Sequence, residues 1–157
     1  LPLDTDNFRE TMSAMPTGVT VVTASGEEGP SGMTANAVVS LSASPPMMLA
    51  CLDRGARTLA SLRGSGSFLI NVLAEGQDDL ARRFATKDPE PAKWEGVEFS
   101  QWEGVPRIEA ALAWIRCELH DLIDGGDHLI VTGSVLDAES SDRKPLIFHQ
   151  GRYRGLD

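Results

Sequence analysis

Residues 124–127 read DGGD, and the strand-like runs ALAWIRCELHDLI and HLIVTGSVLDAE stand on either side. Paired glycines between two such runs allow a tight reversal, so the stretch predicts a long β-hairpin. The other strand candidates carry similar punctuation. TGVTVVTA, rich in β-branched residues, runs through the turn SGEEGPSG into GMTANAVVSLSA, which predicts a second hairpin across residues 17–42. MMLACLD is almost continuously apolar, as suits a strand buried on both faces, and SFLINVLA is a further strand. KPLIFHQGRYRGL predicts a short closing hairpin that turns at Gln150 and Gly151.

Helices are few and short. Residues 6–15 predict one, capped by Thr5 or Asp6, with Phe8, Met12 and Met15 on one face and Pro16 as its stop. Thr58 can cap a second that carries Leu59 and Leu62, and residues 77–86 predict a third with Leu80 and Phe84 one turn apart. Residues 87–107 hold Pro89, Pro91, Gly96, Gly104 and Pro106 and read as a long irregular connection. Strands and helices do not alternate as βαβ units. Six to seven strands with two or three short helices therefore predict a mainly β, antiparallel barrel rather than a doubly wound sheet. No internal repeat or boundary divides residues 1–157, so a single domain is expected. At this length folding hides roughly 70% of the unfolded surface.

Charge and spacing remove several function classes. The net charge is −9, and the basic groups are small: Arg54 with Arg57, Arg82 with Arg83, Arg152 with Arg154. Nucleic acid is not an expected partner, since a phosphate-tracking surface needs clustered cations, but each pair suffices for a small phosphorylated ligand. No apolar run reaches the ~18 residues of a membrane span, and no basic-then-apolar leader pattern is present. Cys51 and Cys117 lie in apolar stretches and read as buried free thiols, which suits a cytoplasmic protein. His120, His128 and His149 lack metal-site spacing, and there is no CxxC, so no metal is expected. Neither a GxGxxG fingerprint, nor a phosphate-loop lysine motif, nor a GxSxG elbow occurs. Glu27 and Glu28 in the glycine-rich turn would repel phosphate.

Four stretches carry candidate chemistry. In SGMTANAVVSLSASPP, Met33, Ala35, Ala37, Val39 and Leu41 alternate with the small or polar Thr34, Asn36, Val38, Ser40 and Ser42. The second row suits a solvated sheet face, or a shelf where a planar ligand can approach the backbone. CLDRGARTL leads a strand into a helix start with Arg54 and Arg57 alongside, which reads as an anion site or as a capped helix with surface arginines. LARRFAT places Arg82 and Arg83 beside Phe84, either as exposed cations over a core ring or as the wall of a site. GGDHLIVTG puts His128 just after the turn, as a polar strand opener or a ligand contact. Trp94, Trp102 and Trp114 read as core or interface anchors.

Taken in order, FRETMSAMPTGVTVVTA, GMTANAVVSLSASPPMMLACLDR, FLINVLAEGQDDLARRFA, GVPRIEAALAWIRCEL and GDHLIVTGSV resemble the flavin reductase family with the FMN-binding split-barrel fold. The resemblance implies a homodimeric, Greek-key split barrel that transfers hydride from NADH or NADPH to FMN or FAD. Reduced flavin then passes to a separate flavin-dependent monooxygenase. It also implies that Thr34, Ala35 and Asn36 lie along the flavin ring, with Ser40, Ser42, Cys51, Leu52 and Asp53 lining ring and ribityl chain. The turn of Ala56, Arg57 and Thr58 would hold phosphate, and Arg83 and Phe84 would close the site. Gly126, Asp127 and His128 would bind nicotinamide, with His128 the one candidate catalytic residue. Relatives often carry serine where this chain has Ala56, so a hydroxyl contact to phosphate is missing. With no basic cluster for a 2′-phosphate, NADH is favoured over NADPH. Two further readings stay open: a flavin-binding module without reductase activity, and a split-barrel oxidase with tightly bound FMN.

Overall fold

The computed structural model describes residues 2–157. In chain order it runs α1 (Thr5–Ser13), β1 (Thr17–Gly18), β2 (Thr20–Gly26), β3 (Gly29–Ala35), β4 (Val38–Ala43), β5 (Pro46–Asp53), α2 (Arg57–Ser65) and β6 (Ser67–Val72). Next come α3 (Asp78–Phe84), α4 (Glu90–Trp94), β7 (Phe99–Trp102), β8 (Val105–Ile108), β9 (Ala113–Gly125), β10 (His128–Ser140), β11 (Ile147–His149) and β12 (Arg152–Arg154).

Seven strands form one antiparallel sheet in the order β3-β2-β6-β9-β10-β5-β4. Its two edge strands, β3 and β4, are consecutive in the chain and joined only by Asn36 and Ala37. So short a link forces the sheet to curl until its edges meet, and the Cys51 N–H donates to the Ala37 carbonyl at 2.9 Å, which carries the β4–β5 ladder into the link. This is the expected barrel. The long hairpin is β9 and β10, and the closing hairpin is β11 and β12, with Gln150 at φ 50° and Gly151 at φ 73°.

The stretch at residues 31–42 is not one strand, as its alternation predicted. It breaks at Asn36, where the chain leaves β2 for β5 as its pairing partner. The inward parity resets across the break: Met33, Ala35 and Val38 pack on the core, while Val39 and Leu41 are exposed.

Burial on both faces belongs to β6 rather than β5. Phe68 and Ile70 join the core inside the barrel with Val22, Leu52, Leu62 and Val131, while Leu69 packs on the other side against Val105 and Trp114. β5 buries only Ala50 and Leu52. β10 passes so close to Phe68 that a Cβ at Gly133 would lie 2.6 Å from the ring, and the register shifts between Thr132 and Gly133.

Three helix expectations change. α1 is capped by Asp4, whose carboxylate accepts the Asp6 N–H at 3.0 Å, and the face of Phe8, Met12 and Met15 is exposed. α2 has Ala56, not Thr58, as its N-cap, although Leu59 and Leu62 are buried as expected. The stretch read as irregular holds α4 and the β7–β8 ribbon. Trp94 anchors it, edge-on to Phe84 at 4.9 Å and to Phe99 at 4.7 Å.

Both cysteines are free, and burial pushes the Cys117 thiol up to about 12. Cys51 is half-buried. In the native protein near neutral pH a thiol reagent should therefore modify one site per chain, identified by peptide mass as Cys51. Equal labelling of Cys117 without unfolding contradicts this packing. Among the described residues no helix is long and apolar enough to cross a membrane.

Candidate functional site

The β5–β10 register sets His128 opposite Asp53, and so brings the turn after β5 beside the β9–β10 turn. Asp53 shapes its own turn: its carboxylate accepts the Gly55 N–H at 2.8 Å and its carbonyl accepts the Ala56 N–H at 3.1 Å. Arg54 ties the two turns together. Its Nε donates to the Gly126 carbonyl and its Nη2 to the Asp124 carboxylate, both at 2.7 Å, and its N–H reaches the Asp127 carbonyl at 3.3 Å. Gly126, at φ 75°, makes the reversal. Arg54 is thus a clip rather than a free cation.

His128 lies 2.8 Å through Nδ1 from the Asp127 carboxylate, and its side chain is 42% exposed. Nδ1–H donating to the carboxylate leaves Nε2 as the ring nitrogen for any further partner. The same hydrogen bond holds the Asp127 carboxyl below the ordinary carboxylate value, helped by the nearby imidazole charge. Because the folded-state value is lowered, this contact favours folding above the usual carboxylate range and fades as pH falls through the lowered value.

At the start of α2, Ala56 is extended (φ −70°, ψ 132°) and offers no side-chain cap. The first-turn N–H groups lack a side-chain acceptor, which is the state of a helix end prepared for an anion. Thr58 is only 1% exposed in the first turn. Arg57 is half-exposed and bonds to the Glu90 carboxylate (Nη2 3.1 Å, Nε 3.3 Å) and to the Asp88 carbonyl. Arg57, Glu90, Ser61 and Trp94 line a cleft of about 1160 Å³ between α2, α4 and the β2–β3 turn.

Of the remaining candidates, Thr34 donates from Oγ1 to the Ala81 carbonyl at 2.6 Å, and Ala35 is buried with its carbonyl held by the Thr20 hydroxyl. Asn36 keeps a buried side-chain oxygen without a protein partner. Leu52 and Phe84 are core side chains, at 0% and 1% exposure. Arg83, beside Phe84, is exposed and donates to the Glu95 carbonyl. Ser40 and Ser42 sit opposite Met48 and Met47, about 17 Å or more along β5 from Asp53. The fold thus gathers Asp53, the α2 start and Gly126–His128 at one end of the barrel, and leaves Ser40 and Ser42 well down β5.

Glu90 and Lys93 went unnoticed in the sequence because they lie in the stretch read as irregular. The signal that marks them is the spacing E-x-x-K among the prolines of DPEPAKW, which makes an i, i+3 pair once a helical turn forms.

The residues present fit a phosphorylated, ring-bearing ligand such as flavin. The Asn36 oxygen is an acceptor in search of a donor, and the uncapped α2 turn with Arg57 supplies donors for phosphate.

Residues 12–157 match the flavin reductase like domain. The reductase subunit HsaB of a flavin-dependent monooxygenase from Mycobacterium tuberculosis is 35% identical, over 99% of this chain and 84% of that protein. An NADH-dependent FAD reductase from Streptomyces globisporus is 39% identical, over 98% of this chain and 86% of its own length. A solved structure of NADH:FAD oxidoreductase SgcE6 from Streptomyces globisporus, in complex with NAD and FAD fragments, superposes with a TM-score of 0.89. It is 38% identical and covers 96% of this chain and 92% of that one. The match along nearly the whole chain and the barrel closed at Asn36 agree: this protein belongs to the flavin reductase like domain family.

Proposed function

We infer that the chain is an NAD(P)H-dependent flavin reductase, with NADH the preferred donor, that supplies reduced flavin to a partner monooxygenase. The observation that carries the site assignment is the pairing of Asp53 with His128, which sets a phosphate-ready turn beside a histidine-bearing turn. Arg57 and the N–H groups at the start of α2 hold the phosphate of FMN or FAD, with Ala56 and Thr58 contributing main chain. Asn36 reads the polar edge of the ring, with Thr34, Ala35 and the half-buried Cys51 beside it. Asp53, Leu52, Arg83 and Phe84 frame the ring and ribityl chain, Leu52 and Phe84 as packing beneath the surface, while Ser40 and Ser42 lie too far down β5 to share that frame.

His128 acts on the nicotinamide. With Nδ1 engaged by Asp127, Nε2 is the ring nitrogen left to meet the carboxamide, and Gly126 leaves room for approach. Flavin, when bound, supplies the hydride acceptor. The protein contributes orientation and the exclusion of wrong poses rather than acid–base chemistry. The test is a steady-state matrix of NADH or NADPH crossed with FMN, FAD and riboflavin. Oxidation that requires added flavin and is faster with NADH agrees, and no turnover with any pair overturns the reading.

A homodimer in the cytoplasm is part of the same proposal. Val39 and Leu41 on β4 and Leu136 on β10 are 55%, 46% and 47% exposed, apolar side chains that a partner copy would cover. Leu41→Asp, at an already exposed position, should turn a dimer into a folded monomer by light scattering. A wild-type chain that is monomeric contradicts the proposal.

A further inference from the structure

We propose that Glu90 is an intramolecular competitor for flavin phosphate, its carboxylate occupying Arg57 when no phosphate is present and loosening the hold on phosphorylated flavins. The inference rests on the assignment of Arg57 to phosphate made above. Among the described residues, with Arg54 committed to Asp124 and Gly126, Arg57 is the cation left at the start of α2. Its side-chain bonds all run to residues 87–90, and both Nε and Nη2 approach the same Glu90 oxygen.

Glu90 is not a loose surface carboxylate. Its side chain is 14% exposed, and Oε1 accepts the Gly32 N–H at 2.7 Å. Lys93, whose side chain is 6% exposed, lies 3.3 Å from Oε2 and donates to the Gly32 carbonyl at 3.2 Å. Two partners that do not involve Arg57 therefore hold the carboxylate in place. A phosphate arriving at Arg57 must displace a fixed negative charge and then remain close to it, and like charges at that range oppose one another. The consequence suits a protein that hands its product on, because a site relieved of this competition would release reduced flavin more slowly.

The probes are FMN and riboflavin, which share the ring and differ in phosphate, bound to the full chain and followed by flavin fluorescence. Glu90→Gln keeps an acceptor for the Gly32 N–H and removes the charge. It should tighten FMN about fivefold, the upper end for a partly exposed ion pair, and leave riboflavin within about twofold. In an Arg57→Gln background the same substitution should no longer change the FMN-to-riboflavin ratio. A merely structural role for Glu90 would move both ligands together. If Arg57→Gln abolishes the FMN advantage and Glu90→Gln leaves the ratio unchanged, the competitor role is overturned and the phosphate assignment stands. If Arg57→Gln leaves the ratio unchanged, both fall. Should Glu90→Gln fail to fold, Glu90→Asp keeps a charge beside Lys93 but is one methylene shorter, and carries the same test with a smaller expected gain.

Discussion

Asn71→Ala should lower the stability of the fold by about 3 kcal/mol, at roughly 1 kcal/mol for each hydrogen bond lost. Asn71 is fully buried in β6, where its amide donates to the Val21 carbonyl at 2.9 Å and to the Thr23 hydroxyl at 3.0 Å. Its oxygen accepts the Ile108 N–H at 2.9 Å. One side chain thus joins β6 to β2 and β8, and Trp114 Nε1 adds a bond to the Ile108 carbonyl at 2.7 Å. Removing it strands buried donors and acceptors in a place water does not reach, so the midpoint of thermal unfolding should fall by about 10 °C. A folded variant that loses less than about 1 kcal/mol in denaturant titration would show that this network does not hold the strands together. The site would feel the loss indirectly, since β6 is an interior strand, between β2 and β9, of the sheet whose closure places Asn36.

His128→Ala should raise the KM for NADH about tenfold, the equivalent of ~1.4 kcal/mol, while the KM for flavin stays within about twofold. The imidazole is half-exposed at the barrel end, so the variant should fold normally. Asp127 then loses its hydrogen-bond partner, and its carboxyl should rise toward the ordinary value. An unchanged KM for NADH would remove His128 from the nicotinamide site, whatever happened to flavin.

Local signals marked the pieces of this molecule well. DGGD with its flanking runs identified β9 and β10, and Gln150 with Gly151 marked the last turn, because reversals depend on residues adjacent in the chain. The turn after β5 and the GDH stretch also stood out by composition. Their adjacency did not, since it depends on the β5–β10 register and on the Arg54–Asp124 contact between distant segments. The break at Asn36 was hidden because alternation records a strand's faces and not its partner. α4 was hidden for a related reason: a helix this short is held by Trp94 packing on Phe84, and prolines announce only that the chain is irregular. Asn71 was invisible inside SFLINVLA, where nothing local says that a polar side chain meets three partners across the sheet.

The most direct measurement is anaerobic mixing of the chain with NADH and a flavin, following the yellow absorbance of the oxidised ring. Rapid bleaching that requires both NADH and the protein, at a rate that saturates in each substrate, is the predicted result. Bleaching no faster than the mixture without protein, alongside firm flavin binding, would contradict it and leave a flavin carrier in place of a reductase.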